Sequence, residues 1–152
     1  MMIDVKKLFL SLFVLSMSLM PSLARMETPG FSISGKIIFH HKAANLLIEV
    51  VNEAEFNKKK DSVYQQKIEI GTAEKKEVSF RFDGIPKGIY AIQCFQDVNG
   101  NSKLDRDMIG RPTEPWGMYR HFRPPFPPRE PKFEEIAFEL NKDITDIQLE
   151  VK

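Results

Sequence analysis

The sequence predicts an all-β domain: an antiparallel β-sandwich of about seven strands, with one long loop rich in proline and aromatic residues. Three observations lead there. Apolar residues recur with a period of two in short runs, no stretch keeps the 3.6-residue period of an amphipathic helix, and Gly, Pro, Asn and Asp gather between the runs.

The first 24 residues stand outside that domain. A charged start ending in Lys6 and Lys7 precedes an apolar run from Leu8 to Met20; Pro21 breaks the run, and Ser22-Leu23-Ala24 puts small residues where signal peptidase needs them. Residues 1–24 are therefore expected to be a signal peptide, cut after Ala24, with the mature protein in the periplasm or secreted. The apolar run is shorter than the roughly 18–20 residues that cross a bilayer as a helix, so no membrane span is expected after cleavage. No cysteine near the cut supports a lipoprotein anchor. Residues 25–152 then form a single domain, a length that suits one hydrophobic core.

The strands follow in order. Phe31, Ile33, Ile37 and Phe39 alternate, with Gly35 breaking the row where a bulge or close contact fits. Leu46, Ile48 and Val50 form the next inward row, a weaker strand covers Tyr64–Ile70, and Val78, Phe80 and Phe82 repeat the pattern. Tyr90, Ile92 and Cys94 follow, then Ile136, Phe138 and Leu140, then Ile147, Leu149 and Val151. Glu53–Ser62 reads as a charged loop or a single helical turn, its Lys58-Lys59-Lys60 run a solvated face. The turn between the strands at Phe82 and Tyr90 holds Gly84, Pro86 and Gly88 at positions those residues favour. Arg106–Lys132 is long and proline-rich, without alternation; loops of that length are uncommon unless functional or mobile. Its Pro124-Pro125-Phe126-Pro127-Pro128 run is locally extended, either a strap over its own domain or a polyproline ligand.

Composition excludes several classes. Cys94 is the only cysteine, so no intramolecular disulfide forms, and with no base beside it the residue reads as a small buried strand residue. The mature part carries twenty basic and twenty acidic residues, a formal net charge of zero, which argues against nucleic acid as a partner.

The chemically informative segment is Asp97-Val98-Asn99-Gly100-Asn101-Ser102-Lys103-Leu104-Asp105. Side-chain oxygens fall at relative positions 1, 3, 5 and 9, the spacing by which a calcium loop turns alternate ligands toward one centre. Asp97, Asn99, Asn101 and Asp105 supply four oxygens, the Lys103 carbonyl a fifth, and Asp107 is an additional candidate, with Ca2+ as the cofactor. Ser102 and Met108 stand where an EF-hand has glycine and glutamate, so the loop is not an EF-hand. The competing reading is a metal-free polar turn in which Asp and Asn side chains bond to nearby amides.

A second candidate surface lies in the long loop, where Trp116, Tyr119, Phe122 and Phe126 are interleaved with Arg120, His121, Arg123 and Arg129. Aromatic faces stack on sugar rings or bury against proteins, and guanidinium groups pair with anions. The alternative is that the aromatics fold inward to cover an open end of the sandwich.

Four segments together resemble a family of exported bacterial proteins classed as domain of unknown function 2141: Phe82–Ala91, Asp97–Asp105, Gly110-Arg111-Pro112-Thr113-Glu114-Pro115-Trp116-Gly117, and Phe133–Phe138. The resemblance spans nearly the whole mature chain. Its Gly-Pro turn before Tyr90 is also similar to those of prealbumin-like and adhesin B-type sandwiches, and its acidic loop to calcium loops of adhesin B-type domains. The resemblance thus implies a prealbumin-like or Ig-like sandwich that binds or scaffolds. The chain departs from the family pattern in two places: Ser102 replaces a glycine, and Met118-Tyr119-Arg120-His121 replaces a Phe-Ser-Asn-Asn run.

The expected function is a non-enzymatic binding or structural module with an envelope or extracellular protein or carbohydrate as partner. One alternative is an accessory subunit of an envelope assembly. The other is a hydrolase using Asp97, Asp105, Asp107 and Glu114 with His121 as base, but no serine or cysteine nucleophile stands beside a base and an oxyanion donor. His40 and His41 are adjacent, face opposite sides of a strand and cannot share a metal.

Overall fold

A computed structural model describes residues 30–40, 44–70, 76–123 and 125–152; residues 1–24, expected to be a signal peptide cut after Ala24, lie outside the described residues. The fold is all-β, with eight strands rather than about seven, arranged in two sheets. One sheet has the order β4-β1-β8, built from β1 (Phe31–Phe39), β4 (Glu77–Ile85) and β8 (Ile144–Val151). The other contains β2 (Asn45–Val51), β3 (Tyr64–Ile68), β5 (Gly88–Asp97) and β6 (Trp116–Met118) in the order β3-β2-β5-β6, with β7 (Phe138–Leu140) also on β5.

The alternating rows meet between the sheets. Ile33, Ile37 and Leu149 from one sheet, and Leu46, Ile48 and Ile92 from the other, are each almost wholly withdrawn from water. Their apolar area supplies the main drive for folding, at about 25 cal/mol per Å2 buried. The expected break at Gly35 is a close contact: a Cβ there would stand 2.1 Å from the Ile147 carbonyl oxygen. The β1–β8 register shifts at the same place, between Ile33 and Gly35.

Three features correct the expectation. The β1–β8 pair is parallel, so the sandwich is not wholly antiparallel. The Arg106–Lys132 stretch is not strandless, because it contains β6 and an isolated bridge between Arg106 and Pro112. β6 is too short to alternate visibly; it forms because β5 pairs with one side while Trp116 exchanges backbone bonds of 3.1 and 3.2 Å with Lys152 beyond β8. Finally, Ile136 lies not in a strand with Phe138 but in a helical turn, α2 (Phe133–Ile136).

The Glu53–Ser62 segment resolves into a helix, α1 (Glu53–Lys58). Asn52 Oδ1 accepts from Glu55 N at 3.0 Å and Asn52 N donates to Glu55 Oε2 at 3.0 Å, a reciprocal cap that satisfies two exposed helix-end groups. Helices α1 and α2 lie over the outer side of β5, where Val51, Ala91, Phe133 and Ile136 form a second small core. At the β4–β5 corner Gly84 takes φ 72°, and the Tyr90 hydroxyl donates to the Pro86 carbonyl at 3.1 Å, carrying the chain from one sheet to the other.

Candidate functional site

Asp97 is the last residue of β5 and starts the acidic loop. It is 3 % exposed. Its Oδ2 accepts from Ser102 N at 2.9 Å, folding the loop back, while its Oδ1 is buried with no hydrogen-bond partner among the described residues. The reversal needs left-handed backbone at Gly100 (φ 79°) and Ser102 (φ 60°). Asn99 Oδ1 accepts from Asn101 N at 3.1 Å, and Asn101 Oδ1 from Lys103 N at 2.8 Å, two successive Asx turns. The side-chain amides of Asn99 and Asn101 both donate to Asp105 Oδ2. Asn99, Asn101 and Asp105 therefore converge, and the Asp97 carboxylate faces the same loop.

A residue that motif spacing did not assign to the loop holds it at both ends. Glu114, 7 % exposed, accepts from Val98 N through Oε1 at 2.8 Å and from Asp105 N through Oε2 at 3.1 Å. Thr113 N donates to the Asp105 carbonyl at 2.9 Å, and Gln96 N to the Pro115 carbonyl at 2.8 Å, so the whole base of the loop is tied to the segment leading into β6. The only sequence signal for this role is an acidic residue inside the Gly110–Gly117 motif.

Electrostatically the site is one-sided. Among the described residues, none of Asp97, Asp105 and Glu114 has an ion-pair partner. Asp107 differs: its Oδ1 accepts from Ile109 N and Arg111 N, and its Oδ2 from the Arg111 guanidinium. The Arg111 backbone N–H, then its side chain, holds that carboxyl below its ordinary range. Asp107 thus serves a separate turn. Among the described residues no three His, Cys, Asp or Glu side chains gather closely enough to hold a metal by themselves. A cation here would depend on the asparagine oxygens, each of which keeps a second lone pair beyond its backbone bond. The buried, unpartnered Asp97 Oδ1 fits such a donor set, because an unsatisfied buried carboxylate oxygen costs more than a neutral group would.

The aromatic segment is divided by the fold. Trp116 is half-buried and lines a cleft of about 440 Å3 with Val98, Glu114 and Lys152. Tyr119 packs edge-on against Phe138, ring centroids 5.2 Å apart, at the main core. Phe122 joins the second core beneath the Arg129 guanidinium, which lies 5.6 Å from the ring centre. Arg120, His121 and Arg123 are exposed. His40 sits 3.0 Å from Glu150, and His41 lies outside the described residues. Burial pushes the Cys94 thiol up to about 12, which leaves it protonated and unreactive at neutral pH.

Residues 37–148 match the model of a family described as "Uncharacterized protein conserved in bacteria (DUF2141)". No curated protein and no solved structure matches the chain, so the finer prealbumin-like or adhesin-like label stays a resemblance.

Proposed function

The chain belongs to the DUF2141 family of uncharacterized bacterial proteins, and from that premise we propose an exported, non-enzymatic binding or structural module whose Asp97–Asp105 loop takes a calcium ion. One observation carries the reading: among the described residues the buried Asp97 Oδ1 lacks a hydrogen-bond partner, beside two further carboxylates, Asp105 and Glu114, that make no ion pair. The side chains of Asp97, Asn99, Asn101 and Asp105, with the Lys103 carbonyl, are the ligands we assign. Asp107 is left out because Arg111 occupies it. A set of hard oxygen donors that includes neutral amide and carbonyl oxygens favours calcium over magnesium, which demands a stricter octahedron and usually keeps several waters. The ion would supply the missing positive charge and stiffen the wall of the Trp116 cleft, the surface to which a protein or carbohydrate partner would bind.

The non-enzymatic reading is supported by the engagement of both Glu114 oxygens with backbone amides and by the protonated, buried Cys94. A second reading, an accessory subunit of an envelope assembly, is favoured by the fully exposed Met108 and the largely exposed Ile109, which present apolar surface at the end of the Arg106–Pro112 bridge.

The test is a pair of thermal melts, in excess calcium and in chelator. Calcium at about a hundred times its Kd stabilises by about 2.7 kcal/mol, which raises Tm by on the order of 10 °C. The substitution Asp97→Asn should abolish the rise. Superimposable melts, with no calcium uptake by calorimetry, would leave the segment a metal-free turn.

A further inference from the structure

We infer that Glu114 is the positioning residue of the calcium loop: it sets the affinity for the ion without touching it, by holding the two ends of the loop at a fixed separation. This rests on the calcium reading above. Glu114 Oε1 takes the N–H of Val98, the residue after the first ligand, and Oε2 takes the N–H of Asp105, the last ligand itself. A planar carboxylate with both oxygens so engaged acts as a rigid strut across the loop's base. It is buried, so water does not compete for these bonds.

Asp97 and Asp105 are thereby presented together before any ion arrives, and the cost of ordering the loop does not fall on binding. Residues that orient metal ligands from behind typically change metal affinity 10–100-fold when replaced. Charge adds to geometry, because a third carboxylate beside the loop strengthens its attraction for a cation. Glu114 also lines the cleft beside Trp116, so the strut of the loop and a wall of the cleft are the same side chain.

The test compares calcium titration calorimetry, and melts with calcium and with chelator, for the full chain, Glu114→Gln, Glu114→Asp and the exposed control Glu139→Gln. Glutamine keeps one acceptor and sets an amide donor against the other backbone N–H; aspartate keeps the charge but is too short to reach both ends. Glu114→Gln should bind calcium about 10–100-fold more weakly, so the calcium-induced rise in Tm shrinks, while the control is unchanged. If Glu114→Gln does not fold, Glu114→Asp is held to the same weakening.

A merely structural role would lower both melts together and leave the Kd intact, and that result overturns the inference while the calcium reading stands. A wild-type chain that takes up no calcium overturns the calcium reading itself, and this inference with it.

Discussion

The Arg129 guanidinium grips Glu135 with bonds of 2.8 and 2.7 Å, and Lys132 N adds a third at 2.7 Å. The guanidinium first, then the amide, holds the Glu135 carboxyl down to about 2 from an ordinary 4.5. A depressed folded-state value means that the favourable contribution is present above pH 4.5 and is lost as the pH falls through about 2. Because the pair is exposed, its effect on stability is screened and small. The direct observable is the titration of the Glu135 side-chain carboxyl by NMR. Its midpoint should lie near 2 and climb toward the ordinary value in Arg129→Ala; an ordinary midpoint in the parent protein would contradict the pairing. The separation of this pair by six residues in a proline-rich segment gave no periodic clue to it. Cys94, by contrast, was legible: an apolar alternating strand with no base nearby reads as a buried, inert thiol, and the residue is 2 % exposed.

Among the elements, the long strands announced themselves, and so did β3 and the three-residue β7, but β6 did not. β1, β4, β5 and β8 each bury one alternate row, and the period-two pattern is the direct imprint of that burial. β6 has three residues with glycine at its centre, and its pairing depends on partners supplied from both sides. Gly117 there has no room for a side chain, since a Cβ would stand 2.3 Å from the Glu150 carbonyl oxygen. Gly117→Ala must push β6 away from β8. Equilibrium denaturation should register a loss of about 1–3 kcal/mol, the usual cost of overpacking; unchanged stability would mean that this junction is not tight. The acidic loop shows the same division. The spacing of Asp97, Asn99, Asn101 and Asp105 marked them as partners, whereas Glu114, grouped with Asp97 and Asp105 in the sequence only as a hydrolase carboxylate, became a clasp on the loop only through the return of the chain into β6.

For the whole molecule, the export we propose is tested at the N-terminus. Expression of the full chain in a bacterial host should release a protein beginning at Arg25, as read by N-terminal sequencing; an uncleaved product held in the membrane fraction would count against the Ala24 cut. The sandwich itself also depends on distant parts of the chain. The two sheets join where Trp116 meets Lys152, and on the opposite side the Gln66 side-chain amide reaches the Arg81 carbonyl and the Tyr64 hydroxyl the Gly84 carbonyl. Tyr119 and Phe122 go to different cores, so neighbours in one aromatic run serve opposite faces of the five-stranded sheet.

By itself the sequence determined the all-β class, the inward rows, the break at Gly35 and the polar reversal after Asp97. Each of these is local, arising from the alternation of side chains along a strand or from the turn chemistry of Gly, Asn and Asp. Only the tertiary structure decided the parallel β1–β8 pairing, the strand at Trp116 and the clasp of Glu114 on both ends of the loop. Those depend on which distant segments lie side by side once the core has closed, and such neighbours leave no period in the chain.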